Sequence, residues 1–137
     1  MAATSNSTMV PVLRYKDALR AIEWLVEVFG FEKQMVVPGP NDTVAHAQLT
    51  FGGSTIMLAS FADDSFGMKS PQDVGCVTQA IYVVIEDVDA HHERAKAGGA
   101  EIVREIDNTD YGSREYMARD VEGHLWSFGT YEPGREA

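Results

Sequence analysis

The sequence predicts an α+β fold built from two successive βαβββ modules. Two observations carry this. A strand-like run, a helix with an aspartate before it and glycine after it, and three further strand-like runs occur twice in the same order. Laying Gly53 on Gly123 also places STIMLAS over HLWSFGT and Asp17 over Asp87, so punctuation and spacing repeat together. The expected boundaries are disordered tails at 1–8 and 133–137, a first module at 9–62, a linker or lid at 63–78 and a second module at 79–132, all within one domain.

In the first module, Val10 to Lys16 alternates as a strand and Asp17 caps the helix behind it. Ala18, Ile22, Leu25 and Phe29 recur at helical spacing, with Arg20, Glu23 and Glu27 opposite, and Gly30 supplies the stop. Phe31–Val37, Thr43–Phe51 and Ser54–Ser60 follow as strands, separated by PGPND and by Gly52-Gly53. In the second module, Gln79–Glu86 is β-rich, and Asp87 caps a helix that runs to about Ala97, before Gly98-Gly99. Glu101–Ile106, Arg114–Asp120 and His124–Tyr131 are the remaining strands. Helix spacing and strand parity put both Trp24 and Trp126 in the core.

The chain has 137 residues and a formal charge of −10, from 11 basic and 21 acidic side chains. That balance argues against nucleic acid and against an anionic membrane surface, since a phosphate binder presents a cationic face. No apolar run reaches the roughly 20 residues that span a bilayer, and MAATSNST has no secretory pattern. The single cysteine, Cys76, excludes an internal disulfide. The expectation is a cytoplasmic protein.

Four segments, LRYKDALRAIEWLVEVFGF, VAHAQLTFGGSTIMLAS, VVIEDVDAHHERAKAGGAEIV and YGSREYMARDVEGHLWSFGTY, together resemble the glyoxalase/bleomycin-resistance/dioxygenase (vicinal oxygen chelate, VOC) superfamily over about residues 9–132. In the closing hairpin, Val121 stands where that family usually has proline. The resemblance implies paired modules forming a curved mixed sheet around a cavity, helices on the convex side, usually within a homodimer. It implies no single function, because the superfamily includes metal enzymes and metal-free drug binders.

The family's metal enzymes take His, Glu or Gln ligands from four strands. Carried onto this chain, those positions fall on Val10, on Ala80 (or Gln79 in the alternative register), on Met57 and on Ser127. Valine and alanine cannot ligate, and methionine and serine suit hard cations poorly. The expectation is therefore no metal and no other cofactor. Adjacent His91 and His92 point about 100° apart on a helix and cannot share one ion. His124 shares parity with Trp126 and Phe128 and is read as structural or exposed.

His46 alternates with Gln48 and Thr50, opposite Ala45, Ala47, Leu49 and Phe51, and so faces away from the helix. It is the one plausible base if the protein is an enzyme. Parity places Arg14, Met57, Tyr82 and Ser127 on the same open side. Tyr116 is added there, with Ala118, by matching it to His46 in the repeat. Phe61 and Phe66 in the linker complete the expected ligand-binding set as a cover over an aromatic guest. This mainly apolar lining with a few polar points suits a small aromatic or amphipathic molecule. The resemblance to the metal-free antibiotic-binding branch then implies sequestration, with antibiotic resistance as one outcome. The alternative is a metal-dependent or metal-free lyase, isomerase or dioxygenase of the same superfamily.

Overall fold

The computed structural model describes residues 7–134, so the tails expected at 1–8 and 133–137 lie outside the described residues except for 7–8 and 133–134. The chain divides into two compact units at the Cys76–Val77 bond.

The first unit holds β1 (Val12–Tyr15), α1 (Ala18–Trp24), β2 (Glu32–Pro38), β3 (Val44–Phe51), β4 (Ser54–Ser60) and the single-turn α2 (Pro71–Val74). Its sheet runs β1-β4-β3-β2, with β1 parallel to β4 and the other pairs antiparallel. The second unit repeats this with β5 (Ala80–Val84), α3 (Val88–Ala97), β6 (Glu101–Asn108), β7 (Arg114–Arg119) and β8 (Leu125–Gly129), in the order β5-β8-β7-β6. The α+β class and the duplicated order are thus as the sequence predicts. Among the described residues no helix is long and apolar enough to cross a membrane.

Each helix starts as its sequence dictates. The Asp17 carboxylate accepts from Arg20 N at 3.2 Å and that of Asp87 from Ala90 N at 3.1 Å. Past Trp24 the first helix widens into a π-helical turn, Leu25–Phe29, which ends at Gly30 in the left-handed conformation (φ 88°). The helix buries Ala18, Ala21, Ile22, Leu25, Val28 and Phe29. They join Leu13, Tyr15, Ala47, Leu49, Ile56 and Leu58 of the sheet in the core. Full burial of each large apolar side chain contributes about 1.5–3 kcal/mol. Trp24 is only half-buried, edge-on to Phe29 at 4.8 Å, so the expectation of two core tryptophans holds for Trp126 alone. Ala45 also departs from its expected side. Register slips between Val37↔His46 and Pro38↔Val44, and this bulge exposes Ala45 while burying Val44.

In the second unit, Trp126, Phe128 and Tyr116 are fully buried. Phe128 stacks on Tyr116 at 5.1 Å and meets the His91 ring at 4.4 Å. Both His91 and His92 are buried helix residues, at 9% and 5% exposure. The hairpin before β8 is organised by one carboxylate. Asp120 accepts from Glu122 N and His124 N at 3.0 Å each and from the Trp126 indole N–H at 3.0 Å.

That hairpin is one residue longer than its counterpart. Thr50 pairs with Thr55 across four intervening residues, whereas Arg119 pairs with Leu125 across five. An offset of 70 residues therefore relates β1 and β4 to β5 and β8, as in Val12↔Met57 and Tyr82↔Ser127. The offset between β3 and β7 is 69, as in Gln48↔Met57 and Met117↔Ser127.

Candidate functional site

On β1, Leu13 and Tyr15 turn into the core, which leaves Arg14 on the open face of the first sheet. Its guanidinium donates to the Ser60 carbonyl and to Asp64, each at 3.2 Å, and its side chain is 13% exposed. Beside it lies a cavity of about 480 Å³, within the range of small-molecule sites. Pro40, Asn41, Ala59, Phe61 and Asp64 form walls of this cavity together with Arg14. Asn41 and Asp42 adopt left-handed backbone (φ 56° and 60°), which folds the β2–β3 turn over its rim. Of the segment read from sequence as a linker or lid, 63–78, residues 63–76 belong to this unit. Asp64 pairs with Arg14, and Asp73 of α2 pairs with Lys16 at 3.2 Å.

His46, Gln48 and Met57 share the open face but are not walls of that cavity. Gln48 donates its amide N–H to Gln34 Oε1 at 2.9 Å, so its oxygen is turned to His46 Nε2, also at 2.9 Å. That hydrogen-bond chain puts the proton of neutral His46 on Nε2 and leaves Nδ1 as the basic nitrogen. Phe61 is 44% exposed at the cavity wall, whereas Phe66 is 75% exposed and is not a wall of this cavity.

In the second unit Tyr82 and Ser127 are neighbours on the open face. The Tyr82 phenol donates to the Tyr131 carbonyl at 2.7 Å, and burial pushes its pKa up. Tyr116 is on the other side. Its hydroxyl lies 2.5 Å from His91 Nδ1 of α3, it is wholly buried, and burial pushes its pKa well up. Placing Tyr116 and Ala118 by a 70-residue offset ignored the longer hairpin, and a slip of one residue inverts every side chain on a strand.

With the 69-residue offset, the counterparts of His46 and Gln48 are Glu115 and Met117. Glu115 is a site residue the sequence reading did not select. The extra residue in DVEGH, compared with FGGS, was the signal available for it. Glu115 is 5% exposed and sits opposite Gly129. The Tyr111 phenol oxygen lies 2.9 Å from each of its carboxylate oxygens, and this hydrogen bond raises the Tyr111 pKa. A β-carbon on Gly129 would stand 2.6 Å from both Glu115 Cγ and the Tyr82 hydroxyl, so the glycine makes room for these two side chains.

The family's metal positions are filled here by Val10 and Met57 in one unit and by Ala80, or Gln79, with Ser127 in the other. Met57 is flanked by Val12 and Gln48, and Ser127 by Tyr82 and Met117. These side chains do not fit a hard divalent cation. Among the described residues, no three His, Cys, Asp or Glu side chains gather closely enough to hold a metal ion.

The model of the Glyoxalase/Bleomycin resistance protein/Dioxygenase superfamily matches residues 6–128. An uncharacterised protein of Mycobacterium bovis is 34% identical over 138 residues, spanning 99% of this chain and 90% of its own. The crystal structure of TioX from Micromonospora sp. ML1 superposes with a TM-score of 0.74 at 34% identity, covering 93% of this chain and 100% of TioX. A fosfomycin resistance protein from Listeria monocytogenes, solved with Mn(II), shares the fold at a TM-score of 0.64 and 18% identity, with coverage of 93% and 94%.

Proposed function

The chain belongs to the glyoxalase/bleomycin resistance protein/dioxygenase superfamily, and from that premise we propose that it binds and sequesters a small aromatic or amphipathic molecule without a metal. The observation that carries this reading is the cavity of about 480 Å³ bounded by Arg14, Ala59 and Phe61. It offers an apolar wall, an aromatic edge and one anchored cation, a combination that buries an organic body and orients a polar group on it. In this reading Phe66 closes over the guest, and the protein works as a cytoplasmic homodimer.

Thermal-shift and fluorescence titration with a panel of aromatic antibiotics tests the reading. A binder should raise Tm, with stability growing as the logarithm of ligand excess and reaching about 2.7 kcal/mol at a hundredfold excess over Kd. Phe61→Ala should weaken it. Near-stoichiometric zinc, nickel, manganese or iron in protein never exposed to chelator would overturn it.

The Gln34–Gln48–His46 chain supports a second reading, a metal-free isomerase or lyase in which His46 Nδ1 takes a proton from a bound substrate. His46→Ala separates the two. Binding retained with turnover abolished selects the enzyme, whereas the sequestration reading expects no turnover from either protein.

A further inference from the structure

We propose that the open face of the second unit carries a site for a protonated amine, with Glu115 as its anionic anchor and Tyr111 and Tyr131 as its aromatic walls. This rests on the reading that the protein receives small organic molecules, and it adds a cationic class to them at a site of the second unit's own.

The argument begins with an electrostatic imbalance. The Glu115 side chain is 7% exposed, and a carboxylate removed from water needs close donors to offset its desolvation. Ionised, it can accept about four hydrogen bonds. Among the described residues, its oxygens receive one phenolic proton, shared by both because Tyr111 has only one to give. The nearest cation is Arg104, whose Nη1 stands 3.8 Å from Oε1, beyond hydrogen-bonding distance, on a side chain that is 47% exposed. Arg104 thus neutralises the charge loosely, from the solvent side, and leaves acceptor capacity for a donor of higher charge density.

The surroundings suit an ammonium group carrying an apolar body. The Tyr111 and Tyr131 rings meet edge-to-face at 5.8 Å and are 58% and 46% exposed. Two such rings beside a carboxylate attract a cation through their faces as well as through its charge. They are also held in place. Tyr131 donates its N–H to Ser113 Oγ at 3.1 Å and accepts from Tyr82 through its carbonyl, while Tyr111 is tied to Glu115. Gly129 keeps the floor low enough for Glu115 and Tyr82 to lie side by side. One carboxylate with phenols is too small a donor set for a metal ion, whereas it matches the three N–H donors of a primary ammonium.

Titration of the intact protein with phenethylamine, and separately with its neutral isostere 2-phenylethanol, followed by two-dimensional amide NMR, tests the site. The amine should bind more tightly and shift resonances around Tyr111, Glu115 and Tyr131. Glu115→Gln, which keeps the shape and removes the charge, should weaken the amine about tenfold or more and leave the alcohol unchanged. Arg104→Gln removes the competing cation and should tighten the amine by about threefold. If Glu115→Gln proves unstable, Tyr131→Ala should weaken the amine selectively. Equal binding of amine and alcohol, or an amine affinity indifferent to Glu115→Gln and Tyr131→Ala, overturns the site while leaving the sequestration reading intact. An amine that binds only beside Arg14 and Phe61 does the same. Failure of both probes and of the antibiotic panel overturns both.

Discussion

Glu115 occupies in the second sheet the place that His46 occupies in the first, although the two lie 69 residues apart while β1 and β4 repeat at 70. A base on one sheet and an acid on the other therefore face the same way relative to their own helices. The duplicated frame has diverged at this pair into a hydrogen-bonded imidazole and a buried carboxylate.

Gly129 holds that arrangement open. Gly129→Ala places a methyl 2.6 Å from Glu115 Cγ and the Tyr82 hydroxyl, and both side chains must move. The expected loss is about 1–3 kcal/mol in urea unfolding. Adding Glu115→Ala to Gly129→Ala should recover part of it, because the smaller side chain vacates one of the two contacts.

Asp120 is the structural counterpart of these site residues. Its carboxylate accepts two backbone N–H groups and the Trp126 indole N–H at 3.0 Å each, and it is 6% exposed. Asp120→Ala leaves buried donors without an acceptor, at about 1–3 kcal/mol for each group so stranded. A lowered urea midpoint, together with a changed emission maximum from Trp126, is the expected outcome.

Tyr116 links pH to stability. Burial raises its pKa from the ordinary value of 10.0. The unfolded chain therefore loses this proton first, and the folded state holds more protons once the pH exceeds 10. The stabilisation is complete below pH 10 and declines as pH climbs from there towards the folded-state value, by at most about 1.4 kcal/mol per pH unit. Tyr116→Phe should flatten that alkaline decline. At neutral pH the same substitution removes the hydroxyl from His91 Nδ1 and should cost about 1–3 kcal/mol. Unfolding curves at pH 7 and above pH 10 check both statements.

The two helix caps provide a control on the repeat itself. Asp17→Ala and Asp87→Ala each remove one carboxylate–backbone hydrogen bond and should each cost about 1 kcal/mol. Equal effects on the urea midpoint are expected. Ligand binding should survive either change, since neither carboxylate lies on an open face.

Much of this architecture is local in origin and was therefore legible in the chain. Asp17, Gly30 and Asp87 mark helix ends through hydrogen bonds and backbone angles that involve only nearby residues. Alternation placed Leu13 and Tyr15 against the helix and Arg14, His46 and Met57 opposite, because side chains in a strand alternate without exception until a bulge intervenes. The absence of good metal donors at the family positions was likewise a matter of residue identity alone.

Register and long-range packing were decided only in three dimensions. The face of Tyr116 depends on how many residues the β7–β8 turn consumes, and one more than in its counterpart sends the phenol to His91 and brings Glu115 to the open side. The bulge at Ala45 reverses one position for the same reason. That Glu115 is buried, and that Tyr111 and Gly129 shape its surroundings, follows from contacts between strands and loops. Periodicity tells which residues share a side, but which side faces the helix is fixed by pairing, and a single residue in a turn inverts it.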